Sequence, residues 1–157
     1  MKKLFLFASA ALLSVSLFAQ TPTPAQTPPP AQTPVKKAED VVKFKELSFD
    51  FGKIKQGTPA THDFAFTNIS NSPVIIESAL ASCGCTTPKK PEGAVNAGKG
   101  DIISAQYNAA NVGPFNKSIT IKVAGIDLPV VLKITGEVLA PDAYAKYEAS
   151  KPATPGR

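Results

Sequence analysis

The chain contains little of the side-chain chemistry on which most enzymes and metal sites depend. Its 157 residues include no tryptophan, one histidine (His62), one methionine (Met1) and two cysteines. Because structural zinc sites use four protein ligands, this supply disfavours a zinc site built within one chain. A catalytic triad would have to use His62, and no Gly-x-Ser-x-Gly motif is present to hold its nucleophile. We therefore expect a chain that is not an enzyme and needs no cofactor.

Residues 1–19 have the features of a secretory signal peptide. Lys2 and Lys3 precede an apolar run over residues 4–17, and Ala19 supplies a small residue for cleavage. The apolar run is shorter than the ~20 residues that a membrane-spanning helix needs, so an uncleaved anchor is the less favoured alternative. We therefore expect a periplasmic or secreted protein with no membrane span after cleavage. Thiols tend to be oxidised in those compartments.

The charge of the chain gives no sign of nucleic-acid binding. Loss of Lys2 and Lys3 with the signal peptide lowers the formal charge from +5 by two, to +3. Aromatic residues do not alternate with a basic stripe, as they do in many nucleic-acid-binding surfaces. Lys89 and Lys90 are of interest only because they follow the two cysteines. If they lie near the sulfur atoms, they favour thiolate over thiol.

Two segments outside the central region lack the apolar residues that a core requires. Residues 20–43 predict a linker, since the part from Gln20 to Pro34 consists of Thr, Pro, Gln and Ala. Proline-rich chain of this kind is an extended spacer of about 3.1 Å per residue. Residues 140–157 predict a flexible tail whose only large apolar side chains are Tyr144 and Tyr147, with a short helix over residues 143–149 as the alternative.

The remaining segment, residues 44–139, shows a hydrophobic repeat of two residues, which is typical of strands with one buried face. Ile119, Ile121 and Val123, for example, alternate with Ser118, Thr120 and Lys122, and Gly-, Pro- and Asn-containing turns separate the runs. Short strands at this spacing favour a single all-β, antiparallel sandwich of about seven strands, with disordered termini, over a closed barrel. The predicted core consists of Phe49, Phe51, Phe64, Phe66, Val74, Ile76, Leu80, Tyr107, Phe115, Ile119, Ile121, Val123, Val130, Leu132 and Ile134.

Five blocks of residues in this segment resemble a known family. They are Phe49–Gly57, His62–Asn68, Ala81–Thr86, Gly113–Ile119 and Ile134–Val138. Together and in this order they are similar to the bacterial domain-of-unknown-function family 1573, a family of exported proteins. The resemblance implies an immunoglobulin-like sandwich related to major sperm protein and to ciliary domains of the ASPM–SPD-2–Hydin type. It implies nothing about activity.

Cys83 and Cys85, with Gly84 between them, are the candidate functional residues. Side chains two residues apart on a strand point to one face, and Gly84 allows the backbone to bend until the sulfurs meet. Three interpretations remain open: a local disulfide or quiet thiol pair that shapes a turn, a redox-active pair, or a soft-metal site in which both sulfurs bind Cu(I). A bridge so short closes almost no loop and adds little stability. We expect it to be strained and therefore more easily reduced than an ordinary structural disulfide.

These observations favour a non-enzymatic binding or structural module of the cell envelope. A proline-rich linker would hold an immunoglobulin-like domain away from its attachment point, and the domain would bind a protein or envelope partner through a sheet edge or its end loops. The alternative is a periplasmic thiol–disulfide or copper-handling protein that uses Cys83 and Cys85, supported by Gly84, Lys89 and Lys90.

Overall fold

A computed structural model of the chain describes residues 35–151, so the predicted signal peptide and most of the predicted linker lie outside the described residues. These residues form two four-stranded sheets that share one apolar core, followed by a helix. Along the chain the elements are a 3-10 helix (Ala38–Asp40), β1 (Val42–Phe44), β2 (Ser48–Lys55), β3 (Ala60–Asn68), β4 (Ile76–Ala81), β5 (Thr86–Lys89), β6 (Gly100–Tyr107), β7 (Gly113–Val123), β8 (Val130–Leu139) and α1 (Pro141–Ser150).

The prediction of an antiparallel β-sandwich is confirmed, with one parallel strand pair added. Sheet 1 has the order β1-β3-β6-β5 and sheet 2 has the order β2-β8-β7-β4. All neighbours are antiparallel except β2 and β8. The described residues contain eight strands rather than about seven, because the N-terminal strand changes sheets. Lys45 N–H still donates to Ala65 of sheet 1 (2.9 Å), whereas the carbonyl of Leu47 accepts from Lys133 of sheet 2 (2.8 Å).

A bulge in β2 lets residues at unequal spacing face the core. Phe49 and Phe51 are two residues apart, but Ile54 follows after three, and the pairing of β2 with β8 shifts between Asp50 and Lys53. Gly52 adopts φ +64° there, and its N–H donates to Asp50 Oδ1 (2.9 Å). The extra residue in the bulge shifts the alternation by one position. Ile54, rather than Lys53, therefore points to the same side of the strand as Phe49 and Phe51. All three apolar side chains therefore pack against the core.

The predicted core is confirmed at most positions, and one member is wrong. Leu80 is 66 % exposed. The pairing of β4 with β7 shifts between Ile76 and Ser78, so that the small side chains of Ala79 and Ala81 pack against the core and Leu80 faces solvent. Phe49 and Phe51 are half-buried rather than buried. The buried apolar residues that the prediction did not include are Ala38, Val42, Phe44, Val95, Ile103, Ala105, Ala109 and Val138.

Both segments flanking the predicted domain contain ordered elements. Val42 in β1 is 1 % exposed, and Ala38 N–H donates to Leu128 O (2.9 Å), so residues 38–43 belong to the domain and not to a linker. After β8, residues 141–150 form α1, close to the helix considered as the alternative to a flexible tail. Tyr144 and Tyr147 are the half-buried residues of α1, and Lys53 Nζ lies 5.0 Å from the ring centroid of Tyr147. Across the described part of the chain, no helix has the length and apolar character needed to cross a membrane.

Close approach of two chain segments requires glycine at position 136. A Cβ atom there would lie 2.7 Å from Phe115 Cζ and 2.9 Å from the carbonyl oxygen of Gly52. We expect Gly136→Ala to lower the free energy of unfolding by about 1–3 kcal/mol, because the added methyl group collides with the buried ring of Phe115. Urea denaturation measures the change. Gly93→Ala is the matched control, since Gly93 has open space around it and no positive φ, and its effect should stay within about 0.5 kcal/mol. Equal effects of the two substitutions would contradict the expectation.

Candidate functional site: the Cys83–Cys85 turn

Cys83 and Cys85 form a disulfide, with their Cα atoms 5.4 Å apart. Of the three interpretations that the sequence left open, the structure has the first, a local disulfide. The distance lies within the range in which disulfides form without backbone movement. With both sulfurs in this bond, the pair has no thiolate to donate to a metal ion until it is reduced.

The bridged turn lies where the chain passes from one sheet to the other. It follows β4, the edge strand of sheet 2, and precedes β5, the edge strand of sheet 1. Before the bridge, Ser82 N–H donates to Ser118 O on β7 (2.9 Å); after it, Asn108 N–H donates to Cys85 O (3.0 Å). The turn is therefore fixed to both sheets at one lateral edge of the sandwich. We call this edge, made of β4, residues 82–85 and β5, the disulfide edge.

One side of the disulfide faces the core and the other side is open. Both cysteines are half-buried, and Cys85 packs against the core. Cys83 Sγ lies 3.8 Å from Oγ1 of Thr86, a buried residue. Gly84 is exposed, and a Cβ atom built on it would have no neighbour within 4 Å. A partner can therefore approach the turn from the side of Gly84.

The structure does not bring Lys89 and Lys90 to the sulfur atoms. Lys89 pairs with Ser104 at the far end of β5 from Cys85, a separation of about 13 Å at the rise per residue of a strand. Lys90 Nζ donates to Pro91 O (3.4 Å). Both lysines line a hollow of about 220 Å³ on sheet 1, together with Asp101 and Ile102.

His62 is part of an aromatic cluster at the opposite side of the sandwich. Its ring stacks on Phe49 with a centroid distance of 3.6 Å and meets Phe64 edge-on at 4.8 Å. Its Nε2 lies 2.9 Å from Glu46 Oε1, in the segment where the chain crosses from β1 to β2. No serine hydroxyl is among the hydrogen-bond partners of His62 in the described structure. This arrangement holds the crossing segment in place.

The described residues contain neither a group of metal ligands nor a complete phosphate-binding loop. Between residues 35 and 151, no three side chains of His, Cys, Asp or Glu are grouped so that they could hold a metal ion. The segment from Gly93 to Lys99 matches the first seven positions of a phosphate-binding loop, but Gly100 stands where Ser or Thr is required. It joins two strands rather than a strand and a helix.

The open edge of β4 is the feature that the sequence prediction missed. The prediction placed Leu80 in the core, and it therefore did not expect an exposed apolar residue at the edge of β4. The alternation of residue types alone does not show which face of such a strand is buried. The available signal was Ser78, a polar residue at the position that unbroken alternation from Ile76 would turn toward the core. A bulge between Ile76 and Ser78 changes which later residues face inward.

Solved structures of similar architecture have low sequence identity to the chain. A protein of unknown function from Porphyromonas gingivalis W83 is 15 % identical over 69 % of this chain, with a TM-score of 0.54, and the chain spans half the length of that protein. The ASH/PapD-like domain 7 of human CEP192 is 11 % identical, with a TM-score of 0.54 over 75 % of this chain and 96 % of that domain.

A third similar structure is the secreted serine protease VesC from Vibrio cholerae. Its TM-score is 0.51 at 16 % identity, over 71 % of this chain and 26 % of the protease. Likeness at such identities concerns the fold and carries no activity from one protein to another. The prediction of an immunoglobulin-like sandwich is confirmed by the likeness to the PapD-like domain.

The comparison with family models gives one match over the sandwich. No curated protein is significantly similar to the chain in sequence. The model of the family described as "Protein of unknown function (DUF1573)" matches residues 42–138, from the first residue of β1 to the last but one of β8. This match covers more than half of the chain and confirms the resemblance carried by the five sequence blocks, and the chain therefore belongs to the DUF1573 family.

Proposed function

We propose that this protein is an exported, non-enzymatic module of the cell envelope that contacts another polypeptide through its disulfide edge. The observation that carries the proposal is the position of the Cys83–Cys85 bridge, half-exposed at the point where one edge strand ends and the next begins. Loops that a rigid scaffold holds in place are frequent binding sites in sandwich folds. Export is supported by the predicted signal peptide and by a disulfide, which persists in oxidising compartments.

The fold does not need the bridge for its stability. Large side chains from both sheets, such as Ile121, Leu132 and Phe64, are fully buried without it. A loop of three residues gives at most about 1.6 kcal/mol through the entropy of the unfolded chain. The bridge instead restricts the conformations of an exposed turn, and such restriction favours binding because less entropy is lost when a partner docks.

A second candidate function, thiol–disulfide exchange, is favoured by the open side of the same bridge. In this reaction a substrate thiolate attacks one sulfur of the bridge, which forms a mixed disulfide and releases the other sulfur as a thiolate. The second substrate thiol then attacks the substrate sulfur of the mixed disulfide and releases the first cysteine. The substrate dithiol is oxidised to a disulfide while Cys83 and Cys85 are reduced to thiols. Copper handling would begin from that reduced pair, with two sulfur ligands and no third neighbour of the usual ligand types in the described residues.

Site-specific photo-crosslinking tests the binding function. Thr87 on β5 and Lys43 on β1 are both exposed, and they lie at the two opposite edges of sheet 1. A photoreactive amino acid at position 87 should give a discrete protein adduct in intact cell envelopes, because it adjoins the disulfide edge. The same amino acid at position 43 should give none. Absence of any adduct at position 87, or the same adducts at both positions, would overturn the proposal.

Removal of the bridge tests whether the fold depends on it for stability, and the reduction potential of the native bridge separates the two candidate functions. We expect Cys83→Ser/Cys85→Ser to lower the free energy of unfolding by about 1.6 kcal/mol or less, against about 2–5 kcal/mol for the core substitution Ile121→Ala. Both are measured by urea denaturation.

Equilibration of the native protein in glutathione buffers gives the reduction potential of the bridge. A value well above about −200 mV with rapid exchange would favour the redox function over the binding function.

A further inference from the structure

The described sandwich has four edge strands, and the part of β4 after its bulge, from Ser78 to Ala81, is the stretch left without a device that prevents pairing. Proteins protect strand edges with short strands, prolines, charges, bulges or covering elements. Strand β1 has only three residues, and β5 contains Pro88. Strand β2 carries Asp50, Lys53 and Lys55, with α1 beside it. Strand β4 has six residues and a single charge, Glu77, which pairs with Lys122 of β7.

The free hydrogen-bonding groups of β4 belong to Ala79 and Ala81. Ser82 and Ser118 form a hydrogen-bonded pair, since Ser82 N–H donates to Ser118 O. Hydrogen-bonded and non-bonded pairs alternate along antiparallel strands, so the next bonded pair is Leu80 with Thr120. The backbone groups of Ala79 and Ala81, on either side of Leu80, therefore point away from β7 to the free edge.

Both ends of this open edge are closed. On one side, Val74 and Val95 exchange two backbone hydrogen bonds of 2.9 and 2.8 Å, so that the loop before β6 covers the start of the strand. On the other side, the Cys83–Cys85 bridge turns the chain away into sheet 1. The edge therefore admits a short strand only, roughly the length of β4 itself.

Leu80 lies between the two free positions and is the most exposed large apolar side chain in the described residues. On the outer face of sheet 2 it pairs with Thr120, which pairs in turn with Val131. Val131 is also exposed, at 41 %. Leu80 and Val131, with Thr120 between them, thus form a row on the outer face of sheet 2 that begins at the free edge. A strand added to β4 would cover the end of this row at Leu80.

We propose that β4 pairs in antiparallel direction with β4 of a second copy of this chain, about a two-fold axis at Leu80. In this register Ala79 of each copy lies opposite Ala81 of the other, so both free positions are used and roughly four hydrogen bonds form. The two Leu80 side chains meet directly at the axis, in a non-hydrogen-bonded pair where side chains are closest. Sheet 2 then continues through both copies.

The charges of β4 are compatible with this pairing and its geometry excludes the neighbouring registers. Glu77 lies opposite residue 83 and Ser78 lies opposite Ser82, so that no like charges face each other across the axis. A register centred on Ala79 would place the second bonded pair at the bulge beside Glu77, where the alternation is broken. A register centred on Ala81 would run into the bridged turn. The symmetric fit at Leu80 is the reason for choosing a second copy over an unrelated strand.

Sedimentation equilibrium of the purified exported protein tests this inference, which rests on the proposed function because it names the polypeptide bound at the disulfide edge. The contact is small, so we expect a dimer with a Kd of about 100 µM or tighter. Leu80→Lys should raise the Kd at least about tenfold, because two ammonium groups meet at the axis. Val131→Lys, which makes the same charge change away from the edge, should alter the Kd by less than about twofold. A monomeric wild-type protein, or equal Kd values for the two variants, would overturn the inference.

Disulfide trapping provides a second readout that does not depend on affinity. The Cα atoms of the two residues at position 80 should lie about 4.5 Å apart, which is within disulfide range. Leu80→Cys should therefore form a covalent dimer under mild oxidation much faster than Val131→Cys. Equal rates would contradict the proposed axis. A protein that is monomeric when pure, yet forms an adduct with a different envelope protein at position 87, would overturn this inference and leave the proposed function intact.

Discussion

The packing of two apolar sheet faces against each other is the interaction on which the rest of this structure depends. Ile119, Ile121 and Val123 of β7 alternate with polar residues so that one side of the strand is fully buried. Phe64 and Phe66 of β3 supply the facing side. Because burial of such side chains is the main favourable term in folding, the sandwich stands without a long-range disulfide or a metal ion. The cysteine pair is thereby left for a local task.

The strands that could be predicted from the sequence are those in which alternation is unbroken. Strand β7 and the start of β8 follow the repeat of two over many residues, and their buried faces agree with the prediction. Strand β4 does not, because its bulge changes which side of the strand faces inward after Ile76. A bulge of this kind depends on pairing with β7, a contact between distant parts of the chain. Alternation within β4 alone therefore assigned Leu80 to the wrong face.

The N-terminal boundary of the domain, predicted at residue 44, differs from the start of β1 for a related reason. Residues 41–44 read Val-Val-Lys-Phe, which contains a strand pattern, but they follow a proline-rich stretch and precede the polar residues at the sheet crossing. Only the pairing of β1 with β3 shows that Val42 is inside the core. The candidate site was predictable to a greater degree. The spacing of Cys83, Gly84 and Cys85 indicated that a bridge was feasible, whereas the placement of Lys89 at the far end of β5 depended on the strand that follows.

The parallel pairing of β2 with β8 determines how this domain would carry a mechanical load. Strand β2, the second in the chain, and β8, the last, run side by side in the same direction. Their pairing extends from Ser48–Lys133 to Lys55–Leu139. Tension between the two chain ends would pull β2 and β8 past each other along their length. Their ladder of hydrogen bonds would then be sheared all at once rather than opened one bond after another. A module held in the envelope by its N-terminal segment would resist extension through this pair of strands.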